Sequence, residues 1–425
     1  MKTIYSNRYL MVLATFVFFL MGQVCAEGSK NLNFDDYVKK MTPLKGLSPV
    51  QWRLIWTGDV TTQAILSWST AEPGKKHVVH YDTVKRGENV KEYKYQVDCH
   101  RNGAYSIADK EKEKLGAAYY HHAKVEGLEP DTTYYFVLES DGQFSKPMYF
   151  ITAPKDLKKF SLIHGGDSRS GLLARCKMNE LMAKLVEEQK DIYGLIHGGD
   201  YIVSGRKWSQ WRIWLSSHEL TTTGDGRVLP ILPARGNHDG GPIYKEIFDI
   251  QPEQPDWHTT TIGNEVAIVT LDTNRSGGGD QVAWLEGELK RLRPQSRWLL
   301  TQYHRPLYPA VKKAPAQAKI FCPLFEKYNV DLACEADGHC IKRTSPIRDG
   351  KIDPTGVTYI GEGGLGVGQR KPKADLWYLK DGLVGSAHHV MLLKFDGKEL
   401  KIDTILMDGK IMDSHPMSVR TASVK

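Results

Sequence analysis

Ile192-Tyr193-Gly194-Leu195-Ile196-His197-Gly198-Gly199-Asp200-Tyr201 decides the fold of this chain. Its apolar run reads as a buried strand, and the Gly-Gly-Asp corner ends that strand by delivering an acid to the edge of a sheet. The same pattern recurs four times. Phe160-Ser161-Leu162-Ile163 leads to Gly166-Asp167-Ser168-Arg169, and Leu229-Pro230-Ile231-Leu232 to Gly236-Asn237-His238-Asp239. Trp298-Leu299-Leu300 leads to Tyr303-His304, and Val330-Asp331-Leu332-Ala333 to Asp337-Gly338-His339. Asp, Asn and His at strand ends are the oxygen and imidazole donors that a pair of divalent cations takes. One Gly-Asn-His-Asp alone is as readily an ordinary loop; five such motifs in order describe a metal site. The likeness of Leu162–Asp167 to Leu195–Asp200 marks two equivalent strand-to-loop corners, not a tandem repeat.

Working outward, the region after Pro154 alternates strands with helices, the mark of α/β architecture. Met178, Leu181, Met182, Leu185 and Val186 share one helical face, as do Trp284, Leu285, Leu289 and Leu292. The chain then returns to β structure over Met391–Phe395 and Leu400–Leu406, with hairpin turns at Asp396-Gly397 and Asp408-Gly409. Upstream, Pro49 to Ala153 is dense in short alternating runs such as Gln63–Trp68, His77–Tyr81 and Thr133–Leu138. Turn signals at Glu72-Pro73-Gly74, Glu129-Pro130-Asp131 and Ser140-Asp141-Gly142 separate them, which indicates an all-β sandwich. The expected division is an exposed lead-in at 27–47, a sandwich at 48–154, a catalytic α/β domain at 155–415 and a tail at 416–425.

At 425 residues, 41% hydrophobic and 25% charged, the composition is that of a globular protein of two domains. Lys2 and Arg8 precede an apolar stretch from Tyr9 to Met21, followed by Val24-Cys25-Ala26. Residues 1–26 therefore read as a secretory signal peptide, too short to span a bilayer, which needs about 20 apolar residues. A secreted or periplasmic protein without a transmembrane segment is expected. Gly22-Gln23-Val24 is a poor approach to an acylated cysteine, so lipoprotein anchoring at Cys25 is the lesser reading. Cleavage removes Lys2 and Arg8 and no acid, taking the net charge from +7 to +5. That balance suits an anionic substrate and does not indicate nucleic-acid binding. Cys99, Cys176, Cys322, Cys334 and Cys340 remain; Cys322 with Cys334 or Cys340 is an open pairing, and no spacing matches a zinc knuckle.

Together, the ordered motifs over residues 50–410 resemble the calcineurin-like metallophosphoesterases, in the branch similar to purple acid phosphatases. The segment Val125–Phe136 resembles the fibronectin type III pattern of a leucine-proline corner feeding a tyrosine-rich strand. The resemblance implies a four-layer α/β/β/α sandwich with two metal ions (Fe, Zn or Mn) above the strand ends. It implies that Asp167 binds the first metal, that Asp200 bridges, and that Asn237 and His304 serve the second. It further implies metal-activated water attacking a phosphate ester, with His238 facing substrate and Asp239 beside it as orienter. The family's last motif reads Gly-His-x-His-x-Tyr-Glu-Arg. One register starts it at Gly338-His339 and puts Ile341 where a ligand belongs. The other, preferred, sets Lys342-Arg343 over Glu-Arg and brings Asp337 and His339 onto the two ligand positions.

Two further departures stand out. Relatives carry a histidine where Arg169 stands, and purple acid phosphatases a tyrosine where Val203 stands, so a colourless enzyme is expected. Arg169 has no lone pair for a metal, and its fork suits a phosphate oxygen. Arg235 and Arg305 flank motifs and are further substrate-binding candidates, as is Arg206; each is equally readable as a surface ion-pair partner. His164, His197 and His388-His389 read as structural, and Trp208, Trp211 and Trp214 as core. The substrate expected is a phosphorylated small molecule or glycan. The alternatives are a phosphodiesterase on nucleotide, lipid or glycan phosphates, and a non-catalytic relative that binds an anion or glycan.

Overall fold

The computed structural model describes residues 41–156, 159–275 and 278–420. The expected signal peptide and most of the lead-in lie outside the described residues. Among those described, no helix is long and apolar enough to cross a membrane.

Strands Phe160–Gly165, Ile192–His197 and Ile231–Pro233 run parallel and form the centre of a ten-stranded sheet. Val266–Thr270, Trp298–Gln302, Leu332–Cys334 and Thr358–Gly361 run parallel in an eight-stranded sheet. Alternation along each strand builds the layers. Leu162, Ile196 and Leu232 share one buried cluster with Ile268, Leu300 and Leu332 of the other sheet, so the two sheets pack face to face. Their neighbours Ile163, Leu195 and Ile231 pack instead with Met178, Met182 and Leu185 of helix Leu172–Glu188 and with Trp211 and Trp214 of helix Trp208–His218. On the far side Val269, Leu299 and Ala333 pack with Leu285 and Leu289 of helix Asp280–Leu292 and with Phe321 and Phe325 of helix Ala318–Lys327. The result is the expected α/β/β/α arrangement, and the three tryptophans are core.

The N-terminal β region is a sandwich as expected, but its two sheets differ in status. His77–Asp82, Tyr95–Asp98, Thr133–Ser140 and Met148–Ile151 belong to a separate five-stranded sheet. Val50–Ile55, Ala64–Thr70, Arg101–Ala104 and Tyr119–Val125 continue the ten-stranded sheet itself. The join is parallel pairing of Ile55 with Ile231, reinforced by the Trp56 N–H donating to the Ile231 carbonyl at 2.9 Å. The physical reason is burial on both faces: Leu54 enters the inter-sheet core while Ile55 faces the helices. Glu111, in the N-terminal region, accepts from the Trp208 and Ser209 backbone N–H groups at 2.9 and 3.3 Å, so it caps a helix that supplies no side-chain cap of its own.

One detail departs from sequence expectation. Strand Ile411–Ser418 pairs along its length with Glu399–Leu406, so ordered structure runs past residue 415, and Arg420 donates to the Thr355 and Gly356 carbonyls. The strand looks like a tail because it lies at a sheet edge, where polar residues and Pro416 are tolerated. Cys322, Cys334 and Cys340, whose pairing the sequence leaves open, are not joined to one another by a disulfide.

Candidate metal centre

The parallel strands of both sheets end on the same side, so their following loops converge, as open α/β sheets arrange their sites. Asp167, Asp200, Asp337 and His339 all adopt left-handed backbone conformations, with φ of 55°, 59°, 66° and 61°. Such backbone is uncommon outside glycine and concentrates at functional corners. The corners also need small residues: a Cβ on Gly236 would lie 2.2 Å from the Asp200 backbone nitrogen. Gly-Asn-His-Asp therefore starts with glycine so that two ligand loops can touch.

Ligand atoms of Asp167, Asp200, His304 and Asp337 lie within 4.8 Å of one another, and all four residues are buried. His304 Nε2 is 3.2 Å from Asp200 Oδ1, 3.5 Å from Asp337 Oδ1 and 3.1 Å from Asn237 Oδ1. His339 Nε2 is 3.3 Å from Asp167 Oδ1, and the Asp337 N–H donates to Asp167 Oδ2 at 2.7 Å. The six expected ligands thus share one cluster. Ile341, which the other register would make a ligand, is in the inter-sheet core.

The donor set fits metal ions. Asp167 Oδ1 is buried with no hydrogen-bond partner, the mark of an acceptor awaiting a cation. His304 Nδ1 lies 2.9 Å from the Gly198 carbonyl, which fixes the ring and points Nε2 at the carboxylates, as backbone partners do for metal-binding histidines. Burial opposes charge on His304, but Asp200, Asp337 and Asp167 outweigh it and hold its pKa well above the usual value. Burial likewise works against the Asp200 and Asp337 charges; His304 prevails at both, with the His238 N–H helping at Asp200 and Lys312 at Asp337. Asp200 is held below the usual carboxylate range and Asp337 at about 2. A cation entering the cluster competes with the His304 proton.

His238 and Asp239 separate. The His238 ring sets Nδ1 2.6 Å from the Val203 carbonyl and Nε2 3.9 Å from Asp200 Oδ2, facing the cluster. Asp239 does not orient it. Its Oδ2 accepts from the Asp200 and Gly236 N–H groups at 2.8 and 2.7 Å, and its Oδ1 from the Tyr201 N–H at 3.0 Å. The carboxylate is fully buried and braces the two ligand loops, so the expected orienting role passes to the Val203 carbonyl.

The arginines also divide. Arg169 Nε sits 3.0 Å from Asp200 Oδ2, and Nη2 is 3.5 Å from His339 Nε2, so its fork lies against the ligands. Arg235 is held by Asp272 at 3.2 Å and Asp256 at 3.3 Å, which corrects its expected place in substrate binding: its charge is already met. The Arg305 side chain is exposed, and its backbone N–H donates to Thr273 at 2.8 Å. His164 lies within reach of the Ile196 and Glu335 carbonyls, His197 stacks on Tyr201 at 4.0 Å, and His388 bonds the Gly364 carbonyl.

Two cations at the centre escape sequence reading. Lys312 Nζ ion-pairs with Asp337 Oδ1, and Arg370 Nη1 approaches the Asp337 carbonyl at 3.4 Å. Beneath them Lys342, fully buried, pairs with Glu335 and with Glu362 at 3.0 Å. Lys342-Arg343 could have been read as a buried charge needing acids, but the acids lie seven residues before and twenty after it.

Residues 49–152 match the family model "Purple acid Phosphatase, N-terminal domain", and residues 139–340 match "Calcineurin-like phosphoesterase". An uncharacterized protein of Mycobacterium tuberculosis is 25% identical over 54% of this chain and 51% of its own length. Purple acid phosphatase 1 of Ipomoea batatas is 22% identical over 67% of the chain and 62% of its own, and the Fe(3+)-Zn(2+) purple acid phosphatase 12 of Arabidopsis thaliana 23% over the same shares. The chain thus spans between about half and two thirds of these relatives. Among solved structures, a purple acid phosphatase from yellow lupin seeds (Lupinus luteus) superposes with a TM-score of 0.70 at 19% identity, covering 87% of this chain and 74% of its own.

Proposed function

Because the chain belongs to the calcineurin-like phosphoesterases, in a branch similar to purple acid phosphatases, we propose that it is an exported metal-dependent phosphoesterase. The observation that carries this reading is the buried Asp167–Asp200–His304–Asp337 cluster. With His339 and Asn237 beside it, Asp167, Asp200 and His339 would hold one ion, and Asp200, Asn237, His304 and Asp337 the other. Divalent or trivalent ions held there would supply positive charge to phosphoryl oxygens and lower the pKa of a water. Iron, zinc or manganese suits these donors, and one relative's name specifies Fe(3+) and Zn(2+).

The chain's own residues do the rest. Asp200 reaches both sides of the cluster, and Asp239 holds the loops of Asp200 and Asn237 at a fixed separation through three backbone hydrogen bonds. His238, tied at Nδ1, keeps Nε2 free to carry or deliver a proton at the leaving oxygen. Arg169 and Lys312, beside Asp200 and Asp337, carry N–H donors that would bind phosphoryl oxygens over the site.

A second reading, a non-catalytic anion-binding relative, draws on one observation: Arg169 and Lys312 already pair with two of the ligand carboxylates. One experiment separates the two. Purified protein is assayed for bound metal and for hydrolysis of an aryl phosphate with added Fe, Zn or Mn. Turnover lost in Asp200→Ala and Asn237→Ala is expected, whereas a chain with no bound cation and no turnover under any metal would refute the enzyme reading.

A further inference from the structure

A cavity of about 370 Å³ is lined by Leu307, Leu376 and Tyr378 and by Lys312, Lys319 and Lys373. Lys312 belongs to both places: it lines the cavity and pairs with the Asp337 carboxylate. Lys319 and Lys373 are exposed, and among the described residues neither has a carboxylate partner. Lys312 is thus neutralised by Asp337, whereas Lys319 and Lys373 leave two solvent-facing ammonium groups at the rim of an apolar wall, open to an anion.

The cavity is held in shape by the buried charges under the metal centre. Glu335 accepts from the Leu307 N–H at 2.7 Å, Glu362 from the Ala310 N–H at 2.6 Å, and Lys342 donates to the Tyr308 carbonyl at 2.9 Å. The Tyr378 hydroxyl donates to the Pro309 carbonyl at 2.7 Å, and the Lys373 N–H to the Ala310 carbonyl at 2.8 Å. The segment bearing Lys312 and the segment bearing Lys373 are thereby fixed to one another and to the ligand loop.

We propose that this cavity seats the leaving group of the ester, and that it selects a compact body carrying a second anion: a carboxylate, a sulfate or another phosphate. The proposal rests on the phosphoesterase reading. A phosphoryl group over the metal ligands meets Lys312 on its cavity side. The remainder of the molecule then lies along the Leu307–Tyr378 wall, with Lys319 and Lys373 at the mouth to receive the distal charge. The volume is in the range of small-molecule sites, which bury an apolar body and fix it by a few polar groups.

The test uses the full metal-loaded chain and two pairs of probes. Calorimetry compares phenylphosphonate with 4-carboxyphenylphosphonate, and initial rates compare phenyl phosphate with 4-carboxyphenyl phosphate. The carboxylated probe should bind roughly tenfold tighter at low salt, an advantage that shrinks as salt rises. In the double variant Lys319→Gln, Lys373→Gln the advantage should fall to near parity, and in Lys319→Arg, Lys373→Arg it should persist. Equal binding of the two phosphonates, or an advantage unchanged in the glutamine variant, overturns the proposal. The two readings fail separately. A charge preference in binding without turnover of either ester sinks the hydrolase and keeps the cavity assignment; turnover of both esters at equal efficiency and affinity does the reverse.

Discussion

His238 is fixed by a single backbone carbonyl: the Val203 oxygen takes Nδ1 at 2.6 Å and leaves Nε2 facing Asp200. A proton carrier at that point acts in the transition state and not on metal retention. His238→Ala should therefore lower kcat by about 10²- to 10⁴-fold, the usual worth of general acid–base catalysis, with metal content unchanged. Loss of bound metal alongside activity would instead make His238 part of the metal site. Val203 carries a second expectation. Its side chain cannot supply a phenolate, and Tyr201 stacks on His197 in the helix-side core. An iron-loaded sample should show no visible charge-transfer band; a purple sample would place a tyrosinate at the metal. Sequence reading works well for these residues because Asp, Asn and His at strand ends have little other reason to recur. It fails at Asp239, since a carboxylate beside a histidine looks like its orienter. Which way it points is set by loop corners that bring the Asp200, Tyr201 and Gly236 N–H groups together. Arg235 is lost to Asp256 and Asp272 for the same reason: its partners are distant in sequence.

Elements were legible where their period is long and their burial one-sided. The helices over 172–188 and 280–292 and the terminal hairpin follow the pattern of their apolar residues. The loop carrying Lys312 has no period, so neither its path nor its ion pair with Asp337 is readable. Nor does sequence reveal that helix Trp208–His218 borrows its cap. Lys207, at the N-cap position, makes no side-chain capping bond, and Glu111 fills that role from the N-terminal β region. A carboxylate there also faces the positive end of the helix. Glu111→Ala should cost about 0.5–2 kcal/mol of stability, read as a lower urea midpoint, while Glu113→Ala, at an exposed position, should leave the midpoint unchanged. If the two variants behave alike, the cap contributes nothing and the join between the regions rests on the Ile55–Ile231 pairing and apolar packing.

At the scale of the whole molecule, histidines buried away from the metal cluster make stability depend on pH. Burial is the chief cause at each, holding His122 and His218 at about 3 and His258 and His389 at about 4. His122 shows why. Nδ1 lies 2.6 Å from the Ser67 hydroxyl and Nε2 2.9 Å from the Glu246 carbonyl, so the neutral ring satisfies both partners. Asp249 favours its protonation, but burial, Arg53 and Arg101 oppose it. These folded-state pKa values lie below the unfolded value of about 6.5, so the stability they contribute is complete above that pH and is lost as pH falls toward 4. Each such histidine changes stability by about 1.4 kcal/mol per pH unit within its window. Glu219 and Asp239 work the other way: burial raises each to about 7, so both gain stability as pH falls from 7 toward 4.5 and offset part of what the four histidines lose. Unfolding free energy should accordingly drop between pH 6.5 and 5. In His122→Gln the drop should be smaller by about 2 kcal/mol, whatever the variant loses at neutral pH through its altered hydrogen bonds. Parallel pH profiles for the two proteins would mean that His122 takes up its proton in the folded state, with the Ser67–Glu246 bracket opening to allow it.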